Sequence, residues 1–179
     1  MARKADVAIL ISALLLLGSC DRRPSAPTEQ VAVAAARPAI ALAGRVTDAA
    51  HILTPAQASG LSIKLENLER ATGHQMVIVT APTLAGQDVA TFTRKLGNDW
   101  GIGRKGVNDG VVLLVAPNER KVRISVGYGL EKTLPRAACQ EIIDQLLLPR
   151  FREGDVAGGI DAGADALIAR LQQPSPPGT

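Results

Sequence analysis

The hairpin at residues 111–126 is the feature that most restricts what this chain can fold into. Val111-Val112-Leu113-Leu114-Val115 is an unbroken apolar run, the pattern of a strand covered on both faces. Pro117-Asn118-Glu119 supplies a turn with proline at a favoured position. Beyond it, Val122, Ile124 and Val126 alternate with Arg123 and Ser125. That second strand therefore has one wetter face and pairs antiparallel with the first. A fully buried strand needs layers on both sides, and the chain must supply helices to build them.

Helical patterns lie on either side of the hairpin. Thr54-Pro55-Ala56-Gln57 combines a capping threonine, proline at the first helical position and a glutamine that completes a capping box. Leu61, Leu65 and Leu68 share one face, and Gly73 ends the helix. Met76-Val77-Ile78-Val79-Thr80 reads as a buried strand, and a second helix is predicted over 88–99 with Val89, Phe92 and Leu96 inward. Further helices are predicted over 134–148 and 155–171, the last with Gly159 and Gly163 permitting close packing. The order helix, strand, helix, strand, strand, helix, helix implies an α/β fold, a three-layer α/β/α sandwich over a small mixed sheet.

The ends of the chain read differently. Met1-Ala2-Arg3-Lys4 is basic, Val7 to Leu17 is apolar apart from Ser12, and Leu17-Gly18-Ser19-Cys20 sets small residues before a cysteine. This is the order of a secretory signal, too short to span a bilayer as a helix. The Leu-Gly-Ser-Cys ending resembles the lipobox of bacterial lipoproteins, which implies a signal peptide at 1–19 and acylation of Cys20. Residues 20–44 hold Pro24, Pro27 and Pro38 among many alanines and read as a linker. Its flexible reach from Asp21 onward is about 27 Å. A single domain is expected over 45–171 and a disordered tail over 172–179. No later apolar run has spanning length, so lipid is expected to be the only anchor, on the extracytoplasmic face of a cell membrane. Asp21, directly after the cysteine, favours the inner membrane where a cell has two, a sorting rule that comes with the lipoprotein resemblance.

Composition narrows the chemistry. The chain has 20 Lys and Arg against 17 Asp and Glu; removing Arg3, Lys4 and Asp6 with the leader leaves 18 against 16. No concentrated basic face points to nucleic acid. Gly101-Ile102-Gly103-Arg104-Lys105-Gly106 matches a dinucleotide fingerprint in letters. It follows a helix and precedes a strand, the reverse of what a phosphate site needs, so no nucleotide is expected and the glycines read as a tight loop. No serine sits in a nucleophile elbow, and His51 and His74 are the sole histidines available as bases. Cys139 lies among Ala138, Ile142 and Ile143 and reads as a buried thiol. A lipidated Cys20 leaves it no disulfide partner, and zinc lacks a ligand pair at usable spacing.

Oxygen ligands remain. Asp48, Asn108, Asp109, Glu131 and Asp155 stand in loops or at element ends. Asp109 precedes the first strand of the hairpin and Glu131 follows the second, so both belong to one edge of the sheet. With carbonyls of the 101–110 loop they form a candidate set for a hard cation such as Ca²⁺. The same residues also read as a helix cap at Asp155, turn chemistry at Asn108-Asp109-Gly110 and solvated charge at Glu131.

Several segments together resemble the TPM domain family: Val46-Thr47-Asp48, Trp100-Gly101-Ile102-Gly103, Asn108-Asp109-Gly110-Val111, Arg123 to Glu131 with its Gly-Tyr-Gly-Leu-Glu ending, and Pro149 to Asp155. The family includes a thylakoid-lumen phosphatase, a photosystem II repair factor and a receptor accessory protein. The resemblance covers about 45–171 and implies an α/β/α sandwich on the exported side of a membrane, with acidic loops that bind calcium in some members. On that match Asp48, Asn108, Asp109 and Glu131 are the metal-site candidates. The chain departs from the family where Leu134-Pro135-Arg136 replaces a frequent aspartate, and it has no C-terminal membrane segment, a part expected to be taken by lipid at Cys20. Helix 54–72 runs back along the sheet, so Asp48 is expected at the edge opposite Asp109 unless 45–53 crosses the sheet. The expected function is a lipid-anchored, non-catalytic, calcium-responsive accessory module with a membrane-protein partner. The alternative is a weak metal-assisted acid phosphatase.

Overall fold

The computed structural model describes residues 40–173; the readings of the leader, of Cys20 and of the last six residues lie outside them. Nearly every element comes where its pattern places it. The order is β1 (Val46–Asp48), α1 (Pro55–Thr72), β2 (Gln75–Thr80), α2 (Val89–Asp99), β3 (Gly110–Ala116), β4 (Lys121–Val126), a 3₁₀ turn (Tyr128–Leu130), α3 (Arg136–Ile142), a π turn (Ile143–Leu147), α4 (Leu148–Arg152) and α5 (Val156–Leu171). The four strands stand in chain order; β1, β2 and β3 are parallel, and β4 is antiparallel to β3. The sheet is mixed and small, as the sequence implies.

Alternation along the buried strands divides the core in two. Met76, Ile78, Val111 and Leu113 face α1, α3 and α5, packing on Leu61, Leu65, Leu68, Ile160 and Leu167. Val77, Val79, Val112 and Leu114 face the other way and pack on Phe92 and Leu96 of α2. Helices on both faces make the three-layer sandwich. Ile40 belongs to the α2 side, so packing begins inside the stretch read from sequence as linker.

The caps follow the sequence closely. Thr54 Oγ1 accepts the Gln57 amide at 3.3 Å while Gln57 Oε1 accepts the Thr54 amide at 2.8 Å. Gly73, at φ 75°, ends α1 with its amide on the Glu69 carbonyl at 2.8 Å. Asp155 caps α5 by accepting the Gly158 amide at 2.9 Å.

Two differences have physical causes. The helix expected over 134–148 starts at Arg136, because residue 134 precedes Pro135 and is biased away from helical backbone. It then widens into the π turn ahead of Pro149, whose ring in a regular helix would meet the carbonyl of Gln145. β1 is the second difference: three residues are too few to show a period, and the strand exists through parallel pairing of Val46, Thr47 and Asp48 with Ile78, Val79 and Thr80.

Candidate functional site

The four metal-site candidates, Asp48, Asn108, Asp109 and Glu131, occupy three separate places. Asp48 ends β1 opposite Thr80, at the sheet edge where the parallel strands finish. Its Oδ1 accepts the Ile52 amide at 3.2 Å and the Thr80 hydroxyl, and its Oδ2 accepts the Leu53 amide at 2.9 Å. It shapes the turn into α1. Asp109 stands at the other edge, where β2 and β3 begin. The two therefore share no site, and the opposite-edge placement expected for Asp48 holds. Glu131 follows β4 at the Asp109 edge; it is exposed and lines a groove beside β4, with no hydrogen bond or ion pair to Asp109.

Asp109 is the centre of the second place. It is 1 % exposed. Its Oδ1 accepts the Arg104 amide at 2.8 Å, and its Oδ2 accepts Arg104 Nε at 2.8 Å and faces Arg104 Nη2 at 2.6 Å. His74 Nδ1 lies 3.3 Å from the same Oδ2. Burial pushes the carboxyl upward, but the side-chain and backbone hydrogen bonds from Arg104, with that of His74, outweigh it and hold the group below the usual carboxylate range. The result is a buried carboxylate neutralised by one arginine, with a histidine 21 % exposed on its outer side.

The family glycines hold this edge together. Gly101, Gly103 and Gly106 take φ of 63°, 102° and 81°, so the fingerprint-like stretch is the tight loop expected. Gly103 donates to Gln75 Oε1 at 2.8 Å, and Gly129 donates to the Asn108 carbonyl at 3.0 Å. A Cβ on Gly127 would collide with the Asn108 carbonyl oxygen, and one on Gly129 with that of Val107. Asn108, at φ 54°, is thus a structural link whose carbonyl is already engaged. Tyr128, between the two glycines, projects 81 % exposed.

A calcium ion is a poor fit to this arrangement. The Arg104 guanidinium stands against Asp109 Oδ2, where a cation held by that oxygen would sit; Asp48 lies at the opposite edge, and Glu131 makes no hydrogen bond or ion pair with Asp109. Among the described residues no three acidic, histidine or cysteine side chains converge as a metal-binding group. His74 and Arg104 are the site residues sequence reasoning missed. β2 and β3 are parallel with Gln75 opposite Gly110, which sets His74 beside Asp109, and that register is carried by no sequence pattern.

The fold and this edge define the class, an α/β/α sandwich whose glycine-rich loops enclose a buried carboxylate. The TPM domain profile matches residues 46–170, and the chain belongs to that family. Among solved structures it is similar to the N-terminal domain of a *P. gingivalis* protein, at 33% identity and TM-score 0.67 over 70% of this chain and 80% of that one. Two more distant structures share the fold. The N-terminal domain of the cg2496 protein from *Corynebacterium glutamicum* has 16% identity and TM-score 0.57, over 76% of this chain and 86% of that one. The BA42 protein of *Bizionia argentinensis* has 15% identity and TM-score 0.60, over 70% and 87%. No curated protein matches the chain.

Proposed function

We propose that this chain is a lipid-anchored TPM-domain protein of the cell envelope that acts as a non-catalytic interaction module for a membrane complex. One observation carries the reading: the most buried acidic group, Asp109, is already consumed by Arg104 and His74 and so holds structure rather than waiting for a substrate. Fold alone does not fix function. The exposed features at the same edge, Tyr128 and Val107, suit contact with another protein. Pull-down of the anchored protein from membranes, with and without a calcium chelator, tests this. A defined membrane-protein partner is expected; no partner under either condition refutes it.

A weak acid phosphatase is the second reading. It is favoured by His74, oriented by a buried carboxylate beside an arginine. Turnover of a generic phosphate ester at acid pH, lost in His74→Ala and kept in Asp155→Ala, would establish it.

A further inference from the structure

β4 is the open edge of the sheet, hydrogen-bonded on one side to β3 and on the other to no described strand. The register shows which of its backbone groups face outward. Gly127 donates to Gly110 at 2.8 Å, so this pair is hydrogen-bonded. In an antiparallel ladder such pairs alternate, which turns Ser125, Arg123 and Lys121 toward β3. The N–H and C=O groups of Val122, Ile124 and Val126 therefore point away from the sheet.

A groove runs along this edge in two parts that share Val122. One, of about 700 Å³, has Ile124, Val126, Leu134 and Ile143 in its walls; the other, of about 660 Å³, has Leu148, Phe151 and Val156. Its charge is one-sided. Arg120, Lys121, Arg123, Arg136 and Arg152 line the two parts against Glu131 alone, and none of these five cations is in an ion pair among the described residues. Lys121 feels Asp88 and Glu119 at a distance, and Arg123 Nε is buried without an acceptor.

We infer that this edge takes an extended acidic segment of a partner protein as a fifth strand. The ladder supplies main-chain hydrogen bonds, the groove takes alternate apolar side chains, and the cations select carboxylates between them. A second copy is the wrong occupant, because self-pairing would set two copies of the same cation-lined groove against each other. An anionic bilayer would use the charges but leave the outward amides without partners. This inference deepens the interaction-module reading and rests on it.

The test uses the full lipidated chain in detergent and a fluorescent decapeptide of alternating valine and glutamate. Binding by anisotropy is expected, with new amide-exchange protection at Val122, Ile124 and Val126. The exposed triple variant Arg120→Glu, Lys121→Glu, Arg136→Glu should bind at least tenfold more weakly. So should Val122→Pro, which keeps every charge and removes an outward N–H. Should Val122→Pro not fold, a peptide N-methylated at alternate residues replaces it, with the same tenfold loss expected. Equal binding by the N-methylated peptide, protection elsewhere, or binding to phosphatidylglycerol vesicles in place of the peptide would overturn the inference. A membrane partner still captured by the triple variant would sink the strand inference and leave the module reading standing.

Discussion

Asp109 and Arg104 form a unit in which one partner is buried and the other half exposed. Breaking a buried pair costs about 3–5 kcal/mol because a charge is left without compensation. Arg104→Ala should fall near the low end of that range, about 3 kcal/mol by urea unfolding, since water can replace part of a half-exposed guanidinium. Arg104→Ala with Asp109→Asn should cost less than the two changes added, because the second removes the stranded charge. The pH dependence has a definite sign. A carboxyl depressed in the folded state contributes fully above the ordinary carboxylate range and is lost as pH falls through its lowered value. Acid unfolding curves of wild type and Asp109→Asn should therefore converge at the acid end; parallel curves would refute the pairing. Cys139 was legible as inert from its apolar helical neighbours, and burial pushes its thiol up to about 11. Native protein should resist thiol reagents until denaturant is added. The Arg104–His74 environment of Asp109 was not legible, since it depends on the register between β2 and β3 and on a loop with no period.

Elements were legible where a repeat was long enough to show. α1 came complete, with its capping box and its glycine stop, and the hairpin came with its wetter face. β1, too short to repeat, and the π turn, forced by a single proline, did not. The glycines explain a further part of the family pattern. Gly103 lies against the main chain of Asp109 and Gly110, and Gly127 and Gly129 of Gly-Tyr-Gly lie against that of Val107 and Asn108, at the Asp109 edge. Gly129→Ala should therefore destabilise by at least about 2 kcal/mol, because backbone rather than a mobile side chain must move. Gly60 is the internal contrast, exposed inside α1 with open space where a Cβ would go. Gly60→Ala should stabilise by about 0.5–1 kcal/mol. Thermal melts of the two variants check both signs, and equal shifts would remove the close-approach explanation.

At the scale of the molecule, the two sheet edges divide the labour. Asp48 closes the turn at one, while the other carries the glycine loops, Tyr128 and the route into the β4 groove. Such a surface works only if it is held where its partner is. No helix among the described residues is long and apolar enough to cross a membrane. The anchor proposed here is the lipid on Cys20, read from Leu17-Gly18-Ser19-Cys20 alone. A single acyl chain gives only marginal, reversible attachment, so stable anchoring needs more than one chain or a second contact. Cys20→Ser should remove acylation and leave either uncleaved precursor or a form released by mild washing. Labelling with an alkyne fatty acid measures this directly, with wild type labelled and the variant blank. Equal labelling of the two would refute the lipoprotein reading and leave the domain's own surfaces as its means of reaching a membrane complex.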